Sequence, residues 1–249
     1  MTYITLTIGL LIGSFLNVCI YRIPKEESIA YPPSHCPKCN NQLKPLDLVP
    51  LFSYLLNKGK CRYCRETISL QYPIVEFLNG IIYLLLYFKF GLNILFVKYG
   101  VLASLLIVIS FIDYELKIIP DECNLFGIII SGAFIIFHNF NYTGLKESLL
   151  GLLLGGGIFL IIAILTGAMG GGDIKLMGVL GFAFGWKLIL LITLLSFVIG
   201  AIVSIILLLL KLKNRKDAIA FGPFISVATL ITIFYGTEII SWYMSILFG

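Results

Sequence analysis

Apolar runs long enough to cross a bilayer recur along this chain, and they decide what it can fold into. They lie near residues 3–21, 74–90, 92–112, 123–140, 147–168, 174–186, 188–210 and 220–247. A helix of about 20 apolar residues spans the hydrocarbon core, and backbone polar groups there must be satisfied within the segment. The chain is therefore expected to be an all-α polytopic membrane protein of about eight transmembrane helices. The sixth run, 174–186, is the shortest, nearer to a partly immersed helix than to a full span. Composition excludes a soluble domain: 12% of residues are charged and 59% hydrophobic, against about 25% charged in soluble domains.

The charges that remain are unevenly placed. Arg22, Lys25, Lys38, Lys44, Lys58, Lys60, Arg62 and Arg65 fall in one loop, and Lys211, Lys213, Arg215 and Lys216 in another. Basic loops stay cytoplasmic, and with the N-terminus outside, both clusters land on that side. Neither carries a nucleic-acid-binding motif, so no nucleic-acid partner is expected. The first apolar run lacks a basic leading segment and ends in Arg22 rather than a small-residue cleavage site. It reads as a retained span.

The only sizeable polar piece is 22–73, which holds Pro24, Pro32, Pro33, Pro37, Pro45 and Pro50. It is too small for a robust core of its own. Its staple is Cys36-Pro37-Lys38-Cys39 and Cys61-Arg62-Tyr63-Cys64, two CxxC pairs with 21 residues between them. Four thiolates at this spacing suit a closed tetrahedral Zn²⁺ site, structural rather than catalytic. Two disulfides are the alternative, disfavoured in a reducing cytoplasm. Cys19 and Cys123 read as small apolar residues, and His35 as a loop residue.

Acidic residues at span ends are costly and usually functional. Asp113 ends the third run in FIDYELKIIPD, followed by Glu115, Asp121 and Glu122. Asp173 follows Gly170, Gly171 and Gly172 in MGGGDIK, with Lys175 beyond it. Both aspartates fall on the cytoplasmic side. Two facing carboxylates do not both ionise readily and titrate as a pair, which suits hydrolysis: one takes a proton from water, the other polarises the carbonyl. The glycines allow close approach of backbone or substrate. An ordinary structural role is open for each: a helix cap ahead of Ile174 for Asp173, and a solvated helix end for Asp113. The stretch fails as a phosphate loop and as a dinucleotide fingerprint. Gly151, Gly155, Gly156 and Gly157 suit close helix packing. Gly222-Pro223 suits a break or kink entering the last span.

Taken together, GSFLNVCIYRIP (13–24), the paired CxxC, DLVPLFSYL (47–55), GKCRYC (59–64), ISLQYPIVE (68–76), FIDYELKIIPD (111–121), GGGDIKLM (170–177) and FGPF (221–224) resemble the bacterial type IV prepilin peptidases, membrane aspartic proteases of the GxGD type. The resemblance runs over nearly the whole chain. It implies cleavage of the basic leader of prepilin-like single-pass membrane proteins, after a glycine, at the cytoplasmic face of the bacterial plasma (inner) membrane. It implies catalysis by Asp113 and Asp173, supported by Gly170, Gly171, Gly172 and Lys175. It further implies N-methylation of the new amino terminus with S-adenosylmethionine. That activity goes with the first helix (1–21) and the zinc loop (22–73), and the peptidase with 74–249. Gly13, Asn17 and Glu76 are candidates for cofactor contact, with the role of Glu76 open. The lipid bilayer and prepilins are the expected partners, and a homo-oligomer is compatible with the reading. A peptidase without methyl transfer, a transporter or channel component using the aspartates, and a scaffold of pilus or secretion machinery are the alternatives.

Overall fold

In the computed structural model, the described residues are all but 140, 141, 168, 215, 216, 218 and 249, and nothing is said of the side chains of 138, 139, 142, 143, 247 and 248. Arg215 and Lys216 of the second basic cluster therefore lie outside the described residues. The elements are α1 (Thr2–Arg22), α2 (Phe52–Leu56), α3 (Gln71–Phe90), α4 (Ile94–Leu116), α5 (Asp121–Asn139), α6 (Tyr142–Thr166), α7 (Gly171–Leu209) and α8 (Gly222–Phe248). No strand forms among the described residues, only two isolated bridges, His35 with Gln42 and Lys60 with Thr67.

Six helices among the described residues are long and apolar enough to cross a membrane, fewer than the eight expected. One difference lies at α7, which joins the sixth and seventh runs into one element. The join is broken at Gly185, whose backbone (φ 78°, ψ 174°) is not helical. A side chain would be strained at that φ, so the expected boundary between the runs survives as a glycine break.

The chain forms two compact units, Met1–Val108 and Ile109–Gly249. In the first, α1 packs along α3. A Cβ added at Gly13 would lie 2.7 Å from Glu76 Cα, so only glycine lets the two backbones meet there. Polar side chains then tie the helices together. Asn79 Nδ2 donates to Gly9 O at 2.6 Å, Ser104 Oγ donates to Asn79 Oδ1 at 2.9 Å, and the Tyr83 hydroxyl meets Ser104 Oγ at 3.2 Å. This buried network is satisfied within the helices, as an apolar surround demands.

In the second unit α6 lies against α7 along a seam of glycines. A Cβ on Gly151 would overlap Gly181 O, and one on Gly155 would overlap Met177 O. The expected close packing therefore holds at these two. At Gly156 the nearest atoms are at ordinary contact distance, and Gly157 has none within 4 Å. Phe159, Phe197, Phe221 and Phe224 stack in a chain of rings with centroids 5.4 to 5.9 Å apart, joining α6, α7 and α8.

Candidate active site

Asp113 stands on the last turn of α4 and is 5% exposed. Its Oδ2 accepts the backbone N–H of Gly222 at 2.7 Å. Gly222 is the first residue of α8, whose leading N–H groups have no partner within the helix. That end offers an oriented donor to an acid, and the helix dipole favours negative charge there. The segment read from sequence as a helix breaker is thus a holder of Asp113. A Cβ at 222 would come within 2.8 Å of Asp113 Oδ2, so glycine is required for this approach.

Asp173 is the third residue of α7. The helix starts at Gly171 with Gly170 as its N-cap, so Asp173 does not cap a helix beginning at Ile174. It reaches back instead, Oδ2 accepting the Gly170 N–H at 3.2 Å, the acidic half of a capping arrangement. Its other oxygen, Oδ1, is buried with no hydrogen-bond partner among the described residues. One oxygen serves the helix and the other makes no hydrogen bond among the described residues. Ile119, six residues beyond Asp113, lies against Gly172, the neighbour of Asp173, so the segments carrying the two expected acids meet.

Around the pair, the segment between α4 and α5 docks on the start of α7. A Cβ at Gly172 would meet Ile119 Cβ at 2.8 Å, so this glycine admits the loop. Lys175 Nζ grips both oxygens of Asp121 at 2.7 and 2.8 Å, outside the pair of acids. Among the described residues no atom would meet a Cβ at Gly171 within 4 Å. Two acids, one carrying a free buried oxygen, can activate a water and polarise a carbonyl.

The four cysteines of the loop also come together. Their Sγ atoms all lie within 4.8 Å of one another, with Cys36 and Cys64 Sγ 3.9 Å apart. None is in a disulfide. Tetrahedral Zn–S bonds of about 2.3 Å put the sulfurs about 3.8 Å apart, so the cluster fits Zn²⁺. The two halves are built alike. Cys36 N donates to Asn41 O and Cys61 N to Glu66 O, with Asn40 (φ 55°) and Arg65 (φ 62°) turning each knuckle. The Glu66 backbone contact lowers the Cys64 thiol, but desolvation and the Cys61, Cys39 and Cys36 thiols outweigh it and push it up to about 12. A bound cation reverses that by demanding thiolates. Asp47 adds a second tie, bonded to Tyr63 OH at 3.1 Å and paired with Arg62 at 3.6 Å. His35 bonds Pro33 O and is no part of the cluster.

Gly13, Asn17 and Glu76 also meet, at one junction. Asn17 Nδ2 donates to Tyr72 O at 3.1 Å, and Glu76 Oε2 accepts the Leu51 N–H at 2.8 Å. Leu51 takes a left-handed backbone (φ 60°) to present it. These residues bind the loop to the helix pair.

Sequence comparison places this geometry. The model of the bacterial peptidase A24 N-terminal domain matches residues 7–90, and that of the type IV leader peptidase family matches 100–205. A prepilin leader peptidase/N-methyltransferase of Bacillus subtilis is 32% identical over 243 residues, 97% of each chain. One of Xanthomonas campestris is 34% identical over 95% of this chain and 92% of its own. One of Myxococcus xanthus is 36% identical over 148 residues, 59% of this chain and 44% of its own. No solved structure matches. A chain aligned almost end to end with such relatives, with both domain models matched in order, belongs to the type IV leader peptidase family.

Proposed function

We propose that this protein is a membrane aspartyl endopeptidase that removes the basic leader of prepilin-like proteins after a glycine, at the cytoplasmic face of the membrane. We assign it a second activity, methylation of the amine so exposed, with S-adenosylmethionine as donor. The observation that carries the peptidase reading is the buried Oδ1 of Asp173, which has no hydrogen-bond partner among the described residues. The name shared by the full-length relatives supports both activities.

In this reading one carboxylate of the pair takes a proton from water as the oxygen adds to the scissile carbonyl. The other, protonated, hydrogen-bonds the carbonyl oxygen and stabilises the charge that develops there. The tetrahedral intermediate then collapses, the C–N bond breaks and the amine leaves with a proton from the pair. Gly222 N–H keeps Asp113 oriented throughout, and Gly170 N–H does so for Asp173. Zn²⁺ on Cys36, Cys39, Cys61 and Cys64 holds the loop folded and supplies no open coordination position. Gly13, Asn17 and Glu76 seat that loop on α1 and α3.

The test is mass spectrometry of a synthetic prepilin carrying its basic leader and a Gly-Phe junction. It is incubated in detergent with the protein, with and without S-adenosylmethionine, beside Asp113→Asn and Asp173→Asn. Leader loss only with wild type, and one added methyl only with the donor, is the expected result. Cleavage persisting in both variants overturns the aspartyl reading.

A further inference from the structure

We infer that Asn124 is a substrate-contact residue of the peptidase site, its side-chain carbonyl oxygen accepting a hydrogen bond from a backbone N–H next to the scissile bond. This rests on the aspartyl peptidase reading above.

Asn124 lies in the first turn of α5 and is 6% exposed. Its Nδ2 makes a long contact of 3.5 Å to Pro120 O, and its Oδ1 is buried with no partner. Among the described residues only two buried side-chain polar atoms lack a partner, Asn124 Oδ1 and Asp173 Oδ1. They sit on the first turns of two helices that are fastened to each other. Asp121, three residues before Asn124, holds Lys175, two residues after Asp173. Ile119 lies against Gly172. Buried carbonyl oxygens are satisfied with few exceptions, and an orphan calls for a reason.

The substrate supplies one. A single-pass protein reaches this site as a helix, and its scissile bond becomes attackable only once the backbone there is extended. Unwinding frees N–H groups that lose their partners in an apolar surround, where an unpaired donor is costly. The site must offer acceptors. Asp173 Oδ1 is committed to water or the scissile group, which leaves Asn124 Oδ1 for a neighbouring N–H.

The experiment uses synthetic prepilins in which single amides flanking the scissile bond, other than the scissile one, are replaced by esters, removing one N–H at a time. Each is cleaved by wild type, Asn124→Ala and Asn124→Leu in detergent. The leucine fills the side chain's volume, so a folding loss in one variant leaves the other readable by thermal unfolding. One ester position is expected to lower kcat/KM about 10-fold in wild type, the effect of one lost hydrogen bond, and to have no further effect in the Asn124 variants. Ester penalties identical in wild type and both variants overturn the proposal while parent cleavage still depends on Asp113 and Asp173. Cleavage that survives Asp113→Asn and Asp173→Asn instead defeats the peptidase reading itself.

Discussion

Gly222 donates its backbone N–H to Asp113 Oδ2 at 2.7 Å, linking residues 109 positions apart. An acid on α4 is thus held by the first peptide of α8. The absence of a side chain at 222 is what lets that peptide come close, since a Cβ would sit 2.8 Å from the same oxygen.

Gly222→Ala is therefore expected to shift Asp113 and lower leader cleavage by about 100-fold, the order of loss from a misplacement near 1 Å. Methylation of a substrate already lacking its leader is expected to continue at the wild-type rate. Parallel assays on full-length and pre-cleaved prepilin read both. Unchanged cleavage would remove Gly222 from the machinery.

Asp173→Asn separates the helix cap from the chemistry. The amide keeps an oxygen for the Gly170 N–H, so the thermal midpoint in detergent is expected to stay within a few degrees of wild type. Cleavage is expected to fall by 1,000-fold or more, on the order seen when a central catalytic group is lost. Asp173→Ala is expected to lose both, with about 1 kcal/mol of stability going with the cap.

How much of this was legible beforehand depends on where each signal resides. Asp113 and Asp173 stand out because acids at the ends of apolar runs are rare. The cysteines stand out because their spacing carries the geometry. Gly222 does not: its contribution is a peptide N–H, and nothing in FGPF says which distant carboxylate it meets. Asn124 hides for another reason, since a polar residue in a first helical turn is ordinary until its oxygen proves to be orphaned. The division of α7 is only half visible to hydropathy. The apolar composition runs on through α7, while the backbone turns aside at Gly185.

Metal removal tests the loop. One Zn²⁺ per chain is expected by elemental analysis of the purified protein. Chelation is expected to open residues 22–73 to added protease, because the metal's binding energy is the loop's folding energy. Methyl transfer should fail at chelator levels that leave leader cleavage intact. A loop equally protease-resistant with and without metal would falsify the structural role.

The α6–α7 seam offers a paired comparison. Gly181→Ala adds a methyl where Gly151 O already lies, and is expected to destabilise by about 1–3 kcal/mol. Gly157→Ala adds one where nothing stands within 4 Å, and is expected to leave the unfolding midpoint unchanged or slightly raised. Equal midpoints for the two variants would show that the seam is looser than its geometry.

The break at Gly185 has a consequence for the surrounding lipid. From Gly171 to Gly185 the helix rises only about 21 Å at 1.5 Å per residue, against a hydrocarbon core of about 30 Å. A segment that carries Asp173 in its first turn and stops short in this way would create hydrophobic mismatch, which a bilayer answers by thinning. Thinned lipid beside Asp173 would bring the headgroup layer, and bulk water with it, nearer to that carboxyl. A short first half of α7 would in this way keep water, the second substrate of a hydrolase, within reach.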